Sequence, residues 1–187
     1  RYFPTPFNQF LQRTGLHKWF KSVRLVDDMA WDHASVRTCD WVVGCYYLVR
    51  KEVLDQIGLF DPRYFLYFEE VDHCFAAKRA GWEVVFYPHT TVVHLGGESA
   101  KSSGEITQSG RQLSALQVES ELLYFRKNHG LAGVLMNTCL SLSADALHAL
   151  KQLLKGKGAQ GVANAWKHAS LLLGLCLRTR LGSRPTR

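Results

Sequence analysis

The stretch FLYFEEVDHC, from Phe65 to Cys74, places three carboxylates within four residues: Glu69, Glu70 and Asp72. Aromatic residues precede the acids, and an apolar helical pattern follows them. Three like charges this close repel one another, so a packed domain has little structural reason to gather them. A helix start that holds a general base or a cation does have such a reason.

The acids lie at the start of a predicted helix, which runs from about Glu69 to Ala80 and ends at Gly81. The helix dipole stabilises each acid in the first turn by about 0.3–1 kcal/mol, and this alone can account for two acids. An aromatic approach indicates a partly desolvated pocket, where the pKa of a carboxylate rises towards the range useful to a general base. The spacing is compatible with both interpretations.

Residues 40–98 are the part of the chain with the densest structural pattern. Gly58 and Gly81 are suited to end the two short helices predicted there. We expect residues 1–39, in contrast, to be irregular. The predicted elements are buried strands at 41–43 and 45–49, a short helix over 51–57, the acidic helix, and short strands over 82–87 and 91–94.

Residues 111–129, 131–154 and 161–181 carry helical patterns. The second pattern is too polar for a spanning helix, which needs about 20 mainly apolar residues. The third is amphipathic, and it predicts either a helix in a membrane interface with Trp166 as anchor or a core helix packed on its neighbours. We expect the basic tail, 182–187, to be disordered. The apolar side of the third pattern consists of Val162, Trp166, Ala169, Leu173 and Leu177.

Charge is distributed unevenly along the 187 residues. The first 100 residues carry 11 Lys/Arg and 12 Asp/Glu, whereas residues 101–187 carry 12 and 4, a net charge of +8. Such a basic half indicates a solvated face, an anionic membrane surface or nucleic acid. The basic residues are not interleaved with a known nucleic-acid-binding motif, so we do not expect a nucleic-acid partner.

The cysteines and the first residue indicate the redox compartment and whether the chain is part of a larger protein. The five cysteines are widely spaced, without a CxxC pair or a disulfide-framework pattern, which predicts buried free thiols in a reducing compartment. The chain begins at Arg1 with no basic-then-apolar leader after it, so we expect part of a larger protein without a signal peptide.

A series of blocks resembles, in order, the C-terminal half of a family-2 glycosyltransferase with the GT-A fold. The closest subgroup is the bacterial rhamnosyltransferase-like enzymes of cell-surface polysaccharide synthesis, and the resemblance covers about residues 27–129. Each block alone is weak, but the order and spacing together are specific. The blocks are DWVVG (40–44), VRKEV (49–53), IGLFD (57–61), FLYFEEVDHC (65–74), RAGW (79–82), YP (87–88) and VVHLGG (92–97).

The resemblance assigns roles to the acids. The acidic motif of the family falls on residues 69–72, and its second acid is the usual general base, so Glu70 is the candidate base. This carboxylate would deprotonate an acceptor hydroxyl as its oxygen attacks the anomeric carbon of a nucleotide sugar, with inversion. Glu69 and Asp72 would be its supporting acids.

Other site residues also follow from the resemblance. His94 matches a histidine that completes a divalent metal site, for Mg²⁺ or Mn²⁺, in relatives. Asp40, Trp41 and Gly44 match the segment that lines the acceptor side. Arg111 lies where relatives use basic residues near the diphosphate.

The implied fold class is α/β. Residues 1–110 would form the acceptor-side half of a partial GT-A (Rossmann-like) domain, and 111–187 a basic region of C-terminal amphipathic helices. The chain contains no Asp-x-Asp and no nucleotide-binding strands, both of which belong to the first half of these enzymes. We therefore expect the 187 residues alone to be inactive.

The implied partners are a nucleotide sugar donor and a saccharide or lipid-linked saccharide acceptor. The basic half also fits an anionic membrane surface. Together these predict a cytoplasmic protein, peripheral at the inner face of the cytoplasmic membrane. The alternative is a non-catalytic membrane-surface or interaction module that uses the basic helices.

Overall fold

A computed structural model of the chain describes residues 1–20, 23–27, 31–93, 110–156 and 158–187, without the side chains of 110–114. These residues form two compact units. The first comprises Arg1–Phe3 with Asp27–Ser120, and the second Pro4–Val26 with Glu121–Arg187. The predicted boundary between residues 110 and 111 stays a prediction.

The secondary structure is mainly helical. The helices are α1 (Pro6–Thr14), α2 (Lys51–Ile57), α3 (Glu69–Arg79), α4 (Gly110–Leu154) and α5 (Gly158–Arg178). The strands are β1 (Arg37–Cys39) and β2 (Val84–Phe86). Helices α2 and α3, and a strand within 82–87, confirm the predictions made from the pattern.

The first unit contains a two-stranded antiparallel sheet, in which Thr38 of β1 lies opposite Val85 of β2. Helix α3 turns Val71, Cys74 and Ala77 inward, at the spacing that keeps residues on one helical face. The rest of the buried apolar set in this unit is Trp41, Val53, Tyr64 and Leu116. This packing holds the first turn of α3 in place.

The strands predicted over 41–43 and 45–49 are wrong, because the structure has turns and extended segments there. Their apolar side chains are not uniformly buried: Tyr46 is 54% exposed and Leu48 79%. A strand persists only when a neighbouring strand binds its backbone N–H and C=O groups. Among the described residues, β1 and β2 bind only each other. Residues 91–93 likewise form no strand, and His94 lies outside the described residues.

Helix α1 corrects the expectation that residues 1–39 are irregular. The Thr5 hydroxyl accepts a hydrogen bond from the backbone N–H of Asn8 at 3.1 Å, and the Asn8 side chain accepts one from the backbone N–H of Thr5 at 2.8 Å. Pro6 occupies the first turn, where its missing N–H costs nothing. Thr-Pro-x-Asn was therefore a readable helix start.

Helix α4 is broken at Gly130, whose φ of 67° and ψ of −165° lie outside the helical region. This break confirms the two separate patterns predicted before and after residue 130. The second unit buries Leu122, Tyr124 and Phe125 before the break and Val134 and Ala144 after it. Leu123, Leu11 of α1, and Leu172, Leu175 and Cys176 of α5 are also buried there.

The prediction that 131–154 is too polar to span a membrane is not supported by hydropathy. Within the described residues, Ala115–Leu154 contains a window with a mean hydropathy of 1.3, one third of it buried. By length and composition this helix could cross a membrane, and a core helix of a soluble protein passes the same test. Its polar residues have protein partners: Asn137 donates to Glu121 at 2.8 Å, and Asp145 accepts from Arg13 at 2.9 Å.

The chain after α5 is ordered at its start, so the prediction of a disordered tail is wrong for residues 182–184. The Gly182 N–H donates to the hydroxyl of Thr179 at 2.9 Å, and the Arg184 N–H donates to the carbonyl of Thr179 at 3.2 Å. Gly182 has φ of 71°, and a Cβ there would collide with the carbonyl of Leu122. Only glycine therefore fits this turn.

Candidate functional site at the start of α3

The backbone that leads into the acids is strained. Tyr67 and Phe68 have φ of 71° and 68°, the left-handed region that side chains other than glycine rarely adopt. Each such residue costs about 1–2 kcal/mol. The hydroxyl of Ser120 holds the turn by donating to the carbonyl of Leu66 at 2.9 Å. Strain that the surrounding fold maintains is often associated with a functional site.

Glu69 and Glu70 are both half-buried, and each has a buried carboxylate oxygen, Oε2, with no hydrogen-bond partner among the described residues. Burial raises the pKa of Glu69, a hydrogen bond from its own backbone lowers it in part, and the negative charge of Glu70 raises it further. An unpaired buried carboxylate oxygen costs free energy unless a ligand supplies a donor. The pair is therefore suited to accept a proton or a hydrogen bond from a hydroxyl group.

Asp72 has a different environment from the two glutamates. Its side chain is almost fully buried, with the residue only 3% exposed. Burial first, and then the negative charge of Asp72, raises the pKa of the nearby Tyr64. The charge of Asp72 also contributes to the raised pKa of Arg63, whose main cause is its hydrogen bonds to Asp61. Asp72 thus lies on the packed side of α3, near Tyr64.

Gly44 lies against Glu70. A Cβ placed on Gly44 would lie 3.8 Å from the Cβ of Glu70 and 3.9 Å from its Oε1. The structure thus brings together two residues 26 positions apart that were predicted to share a site. A side chain longer than alanine at position 44 would reach the carboxylate.

This contact yields a prediction about side-chain size. If Glu70 is the general base that the resemblance implies, Gly44→Ala should leave turnover by a full-length protein that contains this chain within about twofold, because the added methyl fits at van der Waals distance. Gly44→Leu should lower kcat about a hundredfold, since displacing a reacting group by about 1 Å costs that much. Steady-state kinetics of both variants check this. Equal activity of the alanine and leucine variants would exclude a catalytic carboxylate beside Gly44.

Two side chains and a backbone carbonyl behind the acids form a hydrogen-bond network that the sequence did not indicate. Nε2 of His73 lies 3.0 Å from the carbonyl of Gly58, and its Nδ1 lies 2.9 Å from the hydroxyl of Tyr47. A carbonyl only accepts, so Nε2 carries the proton and Nδ1 accepts from Tyr47. This network fixes the 44–47 segment against α3. The partners are 15 and 26 residues apart, so spacing along the chain carried no signal.

Asp40 and Trp41 lie at a junction within the first unit. One oxygen of Asp40 accepts from the backbone N–H of Phe3 at 3.1 Å, and the other from Nζ of Lys78 at 3.2 Å. Trp41 is 6% exposed and donates its indole N–H to the carbonyl of Tyr2 at 2.9 Å. Both side chains are thus held by protein contacts, and their role on the acceptor side stays a prediction.

A cavity of about 1090 Å³ in the first unit is lined by Trp41, Tyr47 and His73. None of the three acids is among its described lining residues. Tyr47 and His73 therefore connect two separate features, the cavity and the acidic start of α3. The cavity is rich in aromatic side chains, which also include Trp31, Tyr46, Trp82, Phe86 and Tyr87.

The predicted metal and diphosphate ligands cannot be placed in this site. His94 and the side chain of Arg111 lie outside the described residues. Within the described ranges, no group of three or more His, Cys, Asp or Glu side chains could hold a metal ion. The described residues thus do not by themselves fit a divalent metal.

Comparison with known proteins shows which family has a similar sequence. Residues 17–115 match the family described as glycosyltransferase like family 2. The chain is also 42% identical over 60 residues to N-acetylglucosaminyl-diphospho-decaprenol L-rhamnosyltransferase of two Mycobacterium tuberculosis strains, CDC 1551 / Oshkosh and ATCC 25618 / H37Rv. This match covers 32% of the chain and 20% of each relative. No solved structure matches significantly.

The family match spans the whole candidate site. It includes the 40–44 segment, the strained turn and helix α3, so the acidic residues, Gly44 and the Tyr47–His73 network all lie within it. It covers more than half of the 187 residues. The chain belongs to glycosyltransferase-like family 2.

Proposed function

We propose that this chain is the acceptor-side half of an inverting glycosyltransferase with the GT-A fold. The observation that carries the proposal is Glu70, which lies against Gly44 at the start of α3 and has a buried carboxylate oxygen without a hydrogen-bond partner in the described part of the chain. A carboxylate in this state is suited to accept a proton from a hydroxyl group. Family membership and the strained turn at Tyr67 and Phe68 support the same role.

In the proposed reaction, Glu70 takes the proton of an acceptor hydroxyl as that oxygen forms a bond to the anomeric carbon of the donor sugar. The bond from this carbon to the diphosphate oxygen breaks, and the nucleoside diphosphate leaves with the electron pair. Burial and the negative charge of Glu70 raise the pKa of Glu69, so the two neighbouring carboxylates interact at the start of α3. Asp72 lies on the buried side of α3.

The relatives support a proposal for the donor and acceptor classes. These relatives are named N-acetylglucosaminyl-diphospho-decaprenol L-rhamnosyltransferase. We therefore propose a nucleotide-activated deoxyhexose such as rhamnose as donor, and a lipid-linked saccharide as acceptor. A lipid-linked acceptor is consistent with a peripheral position at the inner face of the cytoplasmic membrane.

The divalent metal stays part of the proposal. His94 is the candidate ligand, and Mg²⁺ or Mn²⁺ would neutralise charge on the departing diphosphate. Arg111 is the candidate basic residue near the same group. The role of Glu70 as base does not depend on either of them.

The proposal is tested with a full-length protein that contains this chain. Purified enzyme is incubated with a nucleotide-activated deoxyhexose and a lipid-linked saccharide, and the lipid fraction is analysed by mass spectrometry. We expect a mass increase of one deoxyhexose residue, and no product from the 187 residues alone. Donor hydrolysis without transfer to any lipid-linked saccharide would argue against the proposed function.

A further inference from the structure

The last part of the chain carries positive charge only. Asp145 is the last acidic residue, and the 42 residues after it contain eight Lys/Arg and no Asp or Glu. Positive charge of this density favours an anionic surface and opposes association with a second copy of the same region. The eight are Lys151, Lys155, Lys157, Lys167, Arg178, Arg180, Arg184 and Arg187.

Helix α5 has two apolar sides, and in the described part of the chain only one of them is packed. Leu172, Leu175 and Cys176 are buried in the second unit. Another stripe is exposed to solvent, and its most exposed members are Trp166 at 74% and Leu177 at 81%. Val162 and Leu173, 45% and 47% exposed, lie on the same stripe, since the spacings of four and seven residues keep all four on one face.

Cations accompany this exposed stripe. Lys167 and Arg178 each directly follow one of its two most exposed members, and both are exposed, as is Arg180 beyond the end of α5. An exposed tryptophan between apolar side chains with cations beside them is the composition of a helix that lies in a membrane interface. Nucleic acid would account for the cations but not for the apolar stripe.

We propose that the exposed face of α5, formed by Val162, Trp166, Leu173 and Leu177, docks on an anionic lipid bilayer. Trp166 and Leu177 enter the headgroup boundary, and Lys167, Arg178 and Arg180 interact with the lipid phosphates. The argument uses exposure and charge alone and does not depend on sugar transfer. A failed glycosyltransferase assay therefore does not contradict membrane docking, and failed docking does not contradict the proposed sugar transfer.

The test is cosedimentation of the whole 187-residue chain with vesicles. One set is phosphatidylcholine alone, and the other holds equal parts of phosphatidylcholine and phosphatidylglycerol. We expect partitioning at least about tenfold stronger into the anionic vesicles. Trp166→Ser combined with Leu177→Ser should lower it by about tenfold or more. Lys167→Gln combined with Arg178→Gln should remove most of the preference for anionic lipid.

The chain offers matched controls. Trp19 is 81% exposed and Leu59 is 77% exposed, and both lie outside α5. Trp19→Ser combined with Leu59→Ser removes the same side chains from equally exposed positions, and it should leave partitioning unchanged. All the substituted residues are exposed, so the far-UV circular dichroism of each variant should match that of the parent.

Two outcomes would overturn the proposal. One is equal partitioning into the two kinds of vesicle, or an equal loss of partitioning in the Trp19 and Leu59 control variant and in the Trp166 and Leu177 variant. The other is self-association, measured by sedimentation velocity without lipid, that disappears in the Trp166 and Leu177 variant. That result would show that a second copy covers the stripe.

Discussion

Glu70→Gln in the full-length enzyme should lower kcat about 10²- to 10⁴-fold with little change in the KM for the acceptor. Glutamine keeps the shape of the side chain and can still hydrogen-bond a hydroxyl, but it cannot take up the proton in the transition state. The expected range is the usual contribution of general base catalysis. The measurement is initial-rate kinetics with the acceptor varied at saturating donor.

Two comparisons make the Glu70→Gln result specific. Glu52→Gln makes the same chemical change at an exposed position in the first turn of α2, and it should leave kcat unaltered. Glu69→Gln removes the negative charge beside Glu70, and we expect it to lower kcat less than Glu70→Gln does. A larger loss for Glu69→Gln would transfer the role of base to Glu69. Near-normal kcat for Glu70→Gln would exclude Glu70 as base.

Asp145→Asn should lower the free energy of unfolding by about 3 kcal/mol, at the lower end of the usual loss when one partner is removed from a buried charge pair. The side chain of Asp145 is only 9% exposed, and its two oxygens bind Arg13 at 2.9 Å and His168 at 2.6 Å. Asparagine removes the negative charge, which leaves the partly buried guanidinium of Arg13 without a counter-charge, and it offers Arg13 and His168 one acceptor oxygen in place of two. Urea unfolding of the 187-residue chain, followed by far-UV circular dichroism, measures this.

The matched control is Asp55→Asn. Asp55 also forms an ion pair, with Lys51 at 2.7 Å, but both side chains are mostly exposed, at 60% and 82%. Exposed pairs of this i,i+4 kind contribute only about 0.3–0.5 kcal/mol. If both substitutions change the unfolding free energy by the same small amount, the network around Asp145 does not stabilise the second unit.

The helices could be predicted from the sequence more completely than the strands. Hydrophobic spacing and a terminal glycine are local signals, so α2, α3 and the break at Gly130 were readable. Strand formation depends on a partner elsewhere in the chain, and the apolar run from Trp41 to Val49 alone does not show whether one exists. Helix α1 was missed although Thr5 and Asn8 carry a capping pattern.

The location of the site could be predicted from the sequence, but the contacts among its residues could not. Three acids close in the sequence indicated the location, and Gly44 was assigned to the same site by resemblance. The contact between Gly44 and Glu70 and the hydrogen bonds of His73 depend on how 44–47 folds back onto α3. The left-handed backbone at Tyr67 and Phe68 has no residue-level signal, because aromatic residues there contradict local preference.

The most direct test of the central claim is the anomeric configuration of the product. The full-length enzyme is supplied with donor of known configuration and a soluble saccharide acceptor, and the configuration of the new glycosidic bond in the product is determined by ¹H NMR. If Glu70 activates the acceptor hydroxyl for direct attack on the anomeric carbon, the product must have inverted configuration, and Glu70→Gln must form it far more slowly. A product with retained configuration would contradict this account of the site.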